Sequence, residues 1–168
     1  MKSTPPAPTE FSRRQFLRRT AGTVAAGLAA PHFLPSGILA ANGQPGANDQ
    51  IGVGFIGIGR QASDLLRNLL TQKTARFVAV ADVNLKRAEA AAAKHNATAC
   101  QDYRKLLERK DVDAIVTATP EHWRSLICIH SCQAGKDIYA EKPMTLTIGE
   151  GRLMVQAARK YQRVFQTG

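Results

Sequence analysis

The sequence has few aromatic residues, few cysteines and no long apolar run. Aromatic residues make up 6% of its 168 residues, and there are only three cysteines. Cys100, Cys128 and Cys132 are odd in number and lack the spacing of a metal site or a disulfide framework. We therefore predict no metal site, and we expect the three thiols to pack as small apolar groups.

The chain also lacks the features of a nucleic-acid-binding protein. The net charge is +10, but no long basic run with interleaved aromatics occurs, and there is no helix-turn-helix or zinc-finger pattern. We therefore expect no nucleic-acid partner. The composition, 44% hydrophobic and 21% charged, is that of one globular domain of ordinary size. A positive surplus of this kind can help to attract an anionic ligand such as a dinucleotide.

The first forty residues differ from the rest of the chain. Ser12–Arg18 reads S-R-R-Q-F-L-R and resembles the twin-arginine export signal. The mildly apolar stretch Ala21–Ala40 that follows is interrupted by prolines and glycines, whereas a membrane-spanning helix needs about 20 predominantly apolar residues. We predict a signal peptide over residues 1–40, a linker over 41–50, and a periplasmic or secreted protein with no stable membrane span. A disordered basic tail and an uncleaved signal that tethers the chain to the membrane are the alternatives.

From Ile51 onward, apolar runs of strand length alternate with amphipathic stretches. Strands that alternate with helices indicate a parallel sheet with helices on both faces. We therefore predict the α/β class, with a Rossmann-type doubly wound parallel sheet over residues 51–168. The predicted strands are Ile51–Ile56, Phe77–Ala81, Ala97–Cys100, Ala114–Ala118, Ile138–Ala140 and Val164–Gln166. The predicted helices are Gln61–Leu70, Leu85–His95, Tyr103–Arg109, His122–Gln133 and Thr147–Tyr161.

A glycine motif lies between the first predicted strand and the first predicted helix. Gly57, Gly59 and Ala62 fit the pattern G-x-G-x-x-G/A, in which the residues serve a tight turn, close approach to a pyrophosphate and helix–sheet packing. The helix N-terminus then offers N–H groups and a partial positive charge to phosphates. Arg60 is either a neighbour of the phosphates or a solvated side chain. The candidate cofactor-binding residues of this segment are Gly57, Ile58, Gly59, Arg60 and Gln61.

An acidic residue follows the second predicted strand at the spacing that such a motif requires. Asp82 lies 20 residues after Ala62, and a carboxylate there can accept hydrogen bonds from the hydroxyls of the adenosine ribose. Because it would repel a 2′-phosphate, NAD is the first choice of cofactor. Lys86 and Arg87 soften that preference, so NADP stays open. The alternative role for Asp82 is that of a turn or helix N-cap residue.

Two longer motifs occur in the second half. Ala118–Trp123 reads A-T-P-E-H-W, and Ala134–Pro143 reads A-G-K-D-I-Y-A-E-K-P. Together with the glycine motif and Asp82, they resemble the Gfo/Idh/MocA family, named for glucose–fructose oxidoreductase, inositol dehydrogenase and a rhizopine-catabolism protein. The resemblance runs from Ile51 to Gly168, and it implies a Rossmann domain that binds NAD or NADP.

The resemblance also implies roles for individual residues. Thr119 and Pro120 would line the nicotinamide end of the cleft, and Glu141 would contact the nicotinamide ribose. Lys142 would be the catalytic residue that faces the substrate, where a cation can stabilise a developing alkoxide. His122, near the same edge, is either a cofactor-binding cleft residue or simply part of the first turn of a helix.

Two departures from the family pattern affect the functional prediction. Arg124 stands where many relatives have histidine, and we expect the family's second α/β domain to be absent from this chain. That domain builds the substrate pocket and supplies a catalytic histidine. We thus predict an NAD(P)-dependent oxidoreductase domain, incomplete in this chain, that acts by hydride transfer on a sugar- or polyol-like substrate. Whether it forms an oligomer or pairs with a partner chain stays open. An NAD-dependent glycoside hydrolase and a non-enzymatic nucleotide-binding fragment are the alternatives.

Overall fold

A computed structural model describes Gly46 and residues 49–168 of the protein. The predicted signal peptide over residues 1–40, and most of the predicted linker, lie outside the described residues. In the part of the chain that is described, no helix is both long and apolar enough to cross a bilayer.

The described chain forms six strands and five helices that alternate along the sequence. The strands are β1 (Ile51–Ile56), β2 (Ala75–Ala81), β3 (Thr98–Cys100), β4 (Ala114–Thr117), β5 (Asp137–Ala140) and β6 (Phe165–Thr167). The helices are α1 (Arg60–Leu69), α2 (Leu85–Ala93), α3 (Tyr103–Leu107), α4 (Glu121–Gln133) and α5 (Ile148–Lys160).

All six strands pair in parallel to form one sheet. Their order is β3-β2-β1-β4-β5-β6, so β1 lies between the strand that follows it and a strand from the second half of the chain. Phe55 of β1, for example, faces Val80 of β2 on one side and Val116 of β4 on the other. This topology confirms the predicted Rossmann-type sheet, in which the strand order reverses beside β1.

The helices form one layer on each face of the sheet. Successive residues of a strand point to opposite faces, and Phe55 packs with Ala62 of α1 and Ala88 of α2. The next residue, Ile56, packs with Leu106 of α3 and with α4. The α4–α5 pair encloses a third apolar cluster beside β5, and its buried members are Cys128, Cys132, Ile138, Ala140, Met154 and Ala157.

Helix α4 ends in a glycine turn that fixes where β5 begins. Gly135 has φ +75°, its N–H donates to the Cys132 carbonyl, and the Lys136 N–H donates to the Ser131 carbonyl. This is a Schellman motif, which satisfies the last carbonyls of a helix. The Lys136 ammonium then donates to the carbonyls of Arg109 and Val112, each at 2.7 Å. The A-G-K part of the second motif therefore ties α4 to the segment between α3 and β4.

Candidate functional site

A cavity opens at the carboxyl ends of β1, β2 and β4. Its volume is about 900 Å³, and it lies at the point where the strand order reverses, which is where open α/β sheets bind ligands. Six of the eleven residues predicted as catalytic or cofactor-binding line it: Gly57, Gly59, Asp82, Thr119, Pro120 and His122.

Gly57 makes the tight turn that follows β1. Its φ is +78°, a region that favours glycine, and its N–H donates to the Ala81 carbonyl at 2.7 Å. A Cβ atom at this position would come within 2.7 Å of the Thr119 Cγ2 atom. The turn after β1 and the loop after β4 thus meet at a spot that only glycine fits.

Gly59 is the N-cap of α1, and its surroundings fit a phosphate group. No side chain caps this helix, so N–H groups of its first turn are left without side-chain acceptors. A Cβ atom on Gly59 would meet no protein atom within 4 Å. The free space in front of a helix N-terminus is the arrangement that binds the phosphates of nucleotides, and the residues present here fit such a group.

Asp82 joins the ends of β1 and β2. It is buried, and its carboxylate accepts hydrogen bonds from the Ile58 N–H at 2.9 Å and from the Asn84 N–H at 2.8 Å. The Arg87 guanidinium lies 3.6 Å from the same carboxylate. Because an ionised carboxylate has about four acceptor positions, the two backbone bonds leave positions for ribose hydroxyls.

The cavity is also lined by residues that the sequence did not indicate. The Tyr103 hydroxyl lies 2.8 Å from the His130 Nδ1 atom, and the two rings stack with their centroids 6.0 Å apart. Both side chains line the cavity, together with Leu126 of α4. They come from α3 and α4, which are distant in sequence and share no motif, so only the packing of these helices brings them together.

The loop after β4 forms the floor of the cavity. The Thr119 hydroxyl is 3.0 Å from the Thr117 hydroxyl, which donates to the Ile56 carbonyl at 3.2 Å. Pro120 is the N-cap of α4, and the exposed side chain of His122 lines the cavity from the first turn of that helix. His122 therefore belongs to the first turn of a helix and also lines the cavity.

Glu141 and Lys142 lie after β5, outside the residues that line the cavity. Glu141 is buried, and its carboxylate accepts hydrogen bonds from the Gln61 side-chain amide at 2.8 Å and from the Lys142 N–H at 3.1 Å. Lys142 itself is exposed and precedes a cis peptide bond to Pro143. The Gln61–Glu141 bond links α1 to the loop that carries Lys142.

Three predicted cofactor-binding residues, Ile58, Arg60 and Gln61, do not line the cavity. The Ile58 side chain is buried in the core, so only its backbone faces the turn. Arg60 is exposed and does not line the cavity, while Gln61 reaches the site through Glu141. Within the described residues, no group of three or more His, Cys, Asp or Glu side chains is placed to hold a metal ion.

Arg124 is buried below the loop after β4. It is 3% exposed, and its two terminal nitrogens donate to the carbonyls of Thr119 and Pro143. Burial lowers the pKa of this guanidinium from its ordinary value, while nearby carboxylates oppose the shift. Arg124, which stands where many relatives have histidine, thus places a guanidinium between the loop after β4 and the loop after β5.

A protein-family model and the sequences of known enzymes match this chain. The family model described as "Oxidoreductase family, NAD-binding Rossmann fold" (Gfo/Idh/MocA) matches residues 51–168. A glycosyl hydrolase family 109 protein from Shewanella pealeana is 26% identical over 92% of this chain and 38% of its own length. Inositol 2-dehydrogenase from Salmonella paratyphi B is 31% identical over 68% of this chain and 35% of its own length.

Solved structures agree with the sequence relatives. A 3-ketoreductase from Actinomadura kijaniata in complex with NADP is 27% identical with a TM-score of 0.68, over 71% of this chain and 37% of that one. The present chain therefore spans less than two fifths of the length of the relatives that it matches.

Proposed function

Because this chain belongs to the Gfo/Idh/MocA family of oxidoreductases and forms its NAD-binding Rossmann domain, we propose that it is the cofactor-binding part of a hydride-transferring enzyme. The substrate is a sugar- or polyol-like molecule, and a bound nicotinamide supplies the hydride acceptor and donor. The observation that carries the proposal is the meeting of the Gly57 turn, Asp82 and the Thr119 loop in one cavity at the reversal point of the sheet.

The adenosine half of the cofactor is proposed to occupy the cavity. Gly59 and the N-terminus of α1 would hold the pyrophosphate, and Asp82 would accept hydrogen bonds from the adenosine ribose. Leu126, Tyr103 and His130, which line the same cavity, would supply the apolar surface for the adenine. The buried carboxylate of Asp82 favours NAD, whereas Arg87, 3.6 Å away, is the group that would accommodate a 2′-phosphate.

The nicotinamide half is proposed to extend from the cavity towards the loop after β5. In this arrangement Thr119, Pro120 and His122 flank the nicotinamide end, and Glu141 receives the hydroxyls of its ribose. Lys142 is exposed beside Glu141, where its ammonium can donate to the reacting hydroxyl of the substrate. A cation at that place would stabilise the alkoxide that forms when the hydroxyl loses its proton, before hydride leaves the carbinol carbon.

The direct test is to purify the full 168-residue chain, denature it and identify any released dinucleotide by chromatography. Titration of emptied protein with NADH and NADPH follows, on wild type and on Asp82→Asn. We expect bound or bindable NAD, and weaker NADH binding by Asp82→Asn. Glu89→Gln, which changes an exposed acid of α2 outside the cavity, is the matched control. Failure to bind either nucleotide would contradict the proposal, and a preference for NADPH would contradict the role of Asp82.

An NAD-dependent glycoside hydrolase is the second candidate. The match to the family 109 glycosyl hydrolase covers 92% of this chain, against 68% for the inositol dehydrogenase. The former therefore extends well into the residues before Ile51. In that reaction a sugar is oxidised, loses its aglycone by elimination, adds water across the resulting double bond and is reduced again. Release of the aglycone from an aryl glycoside, with no net change in NADH, would favour this candidate over a dehydrogenase.

We propose further that residues 1–40 direct export through the twin-arginine pathway. The support is the segment Ser12–Arg18, which carries the paired arginines Arg13 and Arg14. Cell fractionation of the full chain tests this, with Arg13→Lys/Arg14→Lys as the variant and Arg18→Lys/Arg19→Lys as the control. Retention of the first variant in the cytoplasm, with export of the wild type, is expected. Equal export of wild type and first variant would exclude the route.

A further inference from the structure

Arg124 connects the two loops that flank the proposed nicotinamide end. One terminal nitrogen donates to the carbonyl of Thr119, after β4, and the other donates to the carbonyl of Pro143, after β5. Thr119 also packs against Gly57, in the turn before α1, and Glu141 bonds to Gln61 of α1. These contacts form a closed ring of neighbours, and Arg124 is the member that joins the two loops.

Burying the Arg124 guanidinium is energetically unfavourable, so packing alone does not explain why an arginine occupies this position. The Arg124 Nε atom is buried and has no hydrogen-bond partner, and no carboxylate of the described residues lies within ion-pair distance of the guanidinium. A buried charge without a paired anion is unfavourable, and apolar residues of similar volume usually fill such a position with less loss of stability. What an apolar residue cannot do is hold two carbonyls from different loops at a fixed separation.

We propose that Arg124 is a positioning residue for the nicotinamide end of the site. By fixing the loop after β4 against the loop after β5, it sets the distance between Thr119 and the Glu141–Pro143 segment, and thereby the direction in which Lys142 projects. The inference rests on the proposed function, because it assumes that the nicotinamide lies between these loops. It assigns Arg124 no contact with cofactor or substrate.

The test compares two ligands, of which only one reaches the nicotinamide end. NADH reaches both ends of the proposed site, whereas ADP lacks both the nicotinamide and its ribose. We expect Arg124→Met in the full chain to weaken NADH binding about tenfold or more, the loss typical of removing charge-assisted hydrogen bonds. ADP binding should stay within about twofold of wild type, because ADP does not reach Glu141 or Lys142 in the proposed arrangement. Arg152→Met, on the exposed face of α5, is the matched control and should change neither affinity.

Hydrogen exchange on the ligand-free protein gives a second readout. Loss of the two Arg124 hydrogen bonds should speed amide exchange in the segment Lys142–Thr145 of Arg124→Met. Amide exchange in β1 and β2 should be unchanged. Arg124→Lys keeps the charge and can reach one carbonyl at a time, so intermediate effects are expected. It also serves as the test variant if the methionine variant does not fold.

The outcomes separate the inference from the proposed function. If wild type binds no NADH, the proposed function fails and the nicotinamide role of Arg124 fails with it. If wild type binds NADH but the variants lose NADH and ADP affinity equally, or lose neither, Arg124 is a general structural residue and the inference is wrong. Unchanged exchange in Lys142–Thr145 would likewise overturn it.

Discussion

At the scale of single residues, Gly57 and Gly135 offer a matched comparison. Both have positive φ, +78° and +75°, but a Cβ atom at Gly57 would meet the Thr119 side chain at 2.7 Å, whereas one at Gly135 would meet nothing within 4 Å. We expect Gly135→Ala to lower the free energy of unfolding by about 1–2 kcal/mol, the cost of a left-handed conformation. Gly57→Ala should lower it further, because the Thr119 loop must also shift.

The two variants should differ more clearly in ligand binding. Gly57 lines the cavity and Gly135 does not, so only Gly57→Ala should weaken NADH binding. Urea unfolding measures the loss of stability, and fluorescence titration measures the loss of NADH affinity. Equal losses of NADH affinity in both variants would show that the Thr119 contact does not matter to the site.

The cysteines give a prediction about reactivity. Burial raises the pKa of the Cys128 thiol to about 12 and also raises the pKa of the half-buried Cys100. A raised pKa keeps a thiol protonated below that value, and the thiolate is the reactive form. At pH 8 we expect Ellman's reagent to modify Cys100 first and Cys128 last in the native chain, with all three thiols reacting after unfolding. Mass spectrometry of partly modified protein identifies the order, and early modification of Cys128 would contradict it.

The sequence predicted part of the candidate site and missed another part, for a physical reason. Gly57, Gly59 and Asp82 are recognisable because a phosphate-binding turn and its acidic partner need fixed residue types at fixed spacing. The contact between Tyr103 and His130 depends on how α3 and α4 pack, and the buried hydrogen bonds of Arg124 depend on how α4 packs against the loop after β5. Local sequence does not encode that packing.

At the scale of elements, Lys136 is the clearest case of a motif residue whose place is structural. Its ammonium donates to two backbone carbonyls in the segment between α3 and β4. We expect Lys136→Met to lower the free energy of unfolding by about 1–3 kcal/mol, as for other hydrogen bonds of a charged donor. NADH affinity should be unchanged, since Lys136 does not line the cavity.

A lysine nearby in space provides the control. Lys110 is exposed, so Lys110→Met should leave the denaturant midpoint almost unchanged. A loss of NADH affinity in Lys136→Met would mean that the second motif supports the cofactor site through α4 as well as through Glu141 and Lys142.

Most elements could be predicted because apolar runs of strand length alternate with amphipathic stretches. All six strands and five helices occur where the pattern indicated, with ends shifted by up to two residues. Helix α2 ends at Ala93 rather than His95, and the chain turns at Asn96, whose φ is 54°. Such ends depend on single backbone conformations, which periodicity does not reveal.

At the scale of the whole molecule, ligand binding should be coupled to stability. The proposed site joins β1, β2 and β4 through Gly57, Asp82 and Thr119, so an unfolded chain cannot form it. NAD at 100 times its dissociation constant should then raise the free energy of unfolding by about 2.7 kcal/mol. Thermal unfolding with increasing NAD measures this. Absence of any shift, at concentrations that saturate the protein in titrations, would mean that the nucleotide binds the unfolded chain equally well.

The central position of β1 determines the order in which the site can be completed during synthesis. A ribosome releases β1, β2 and β3 first, and these can pair into a half-sheet whose β1 edge has unpaired backbone groups. That edge stays open until β4 emerges, some sixty residues after β1 in the register Val53–Ala114. Open edges of apolar strands invite pairing with other chains. The strand that leads into the glycine turn is thus translated before the strand that covers its edge, and that edge stays open to misassembly until the second half of the domain arrives.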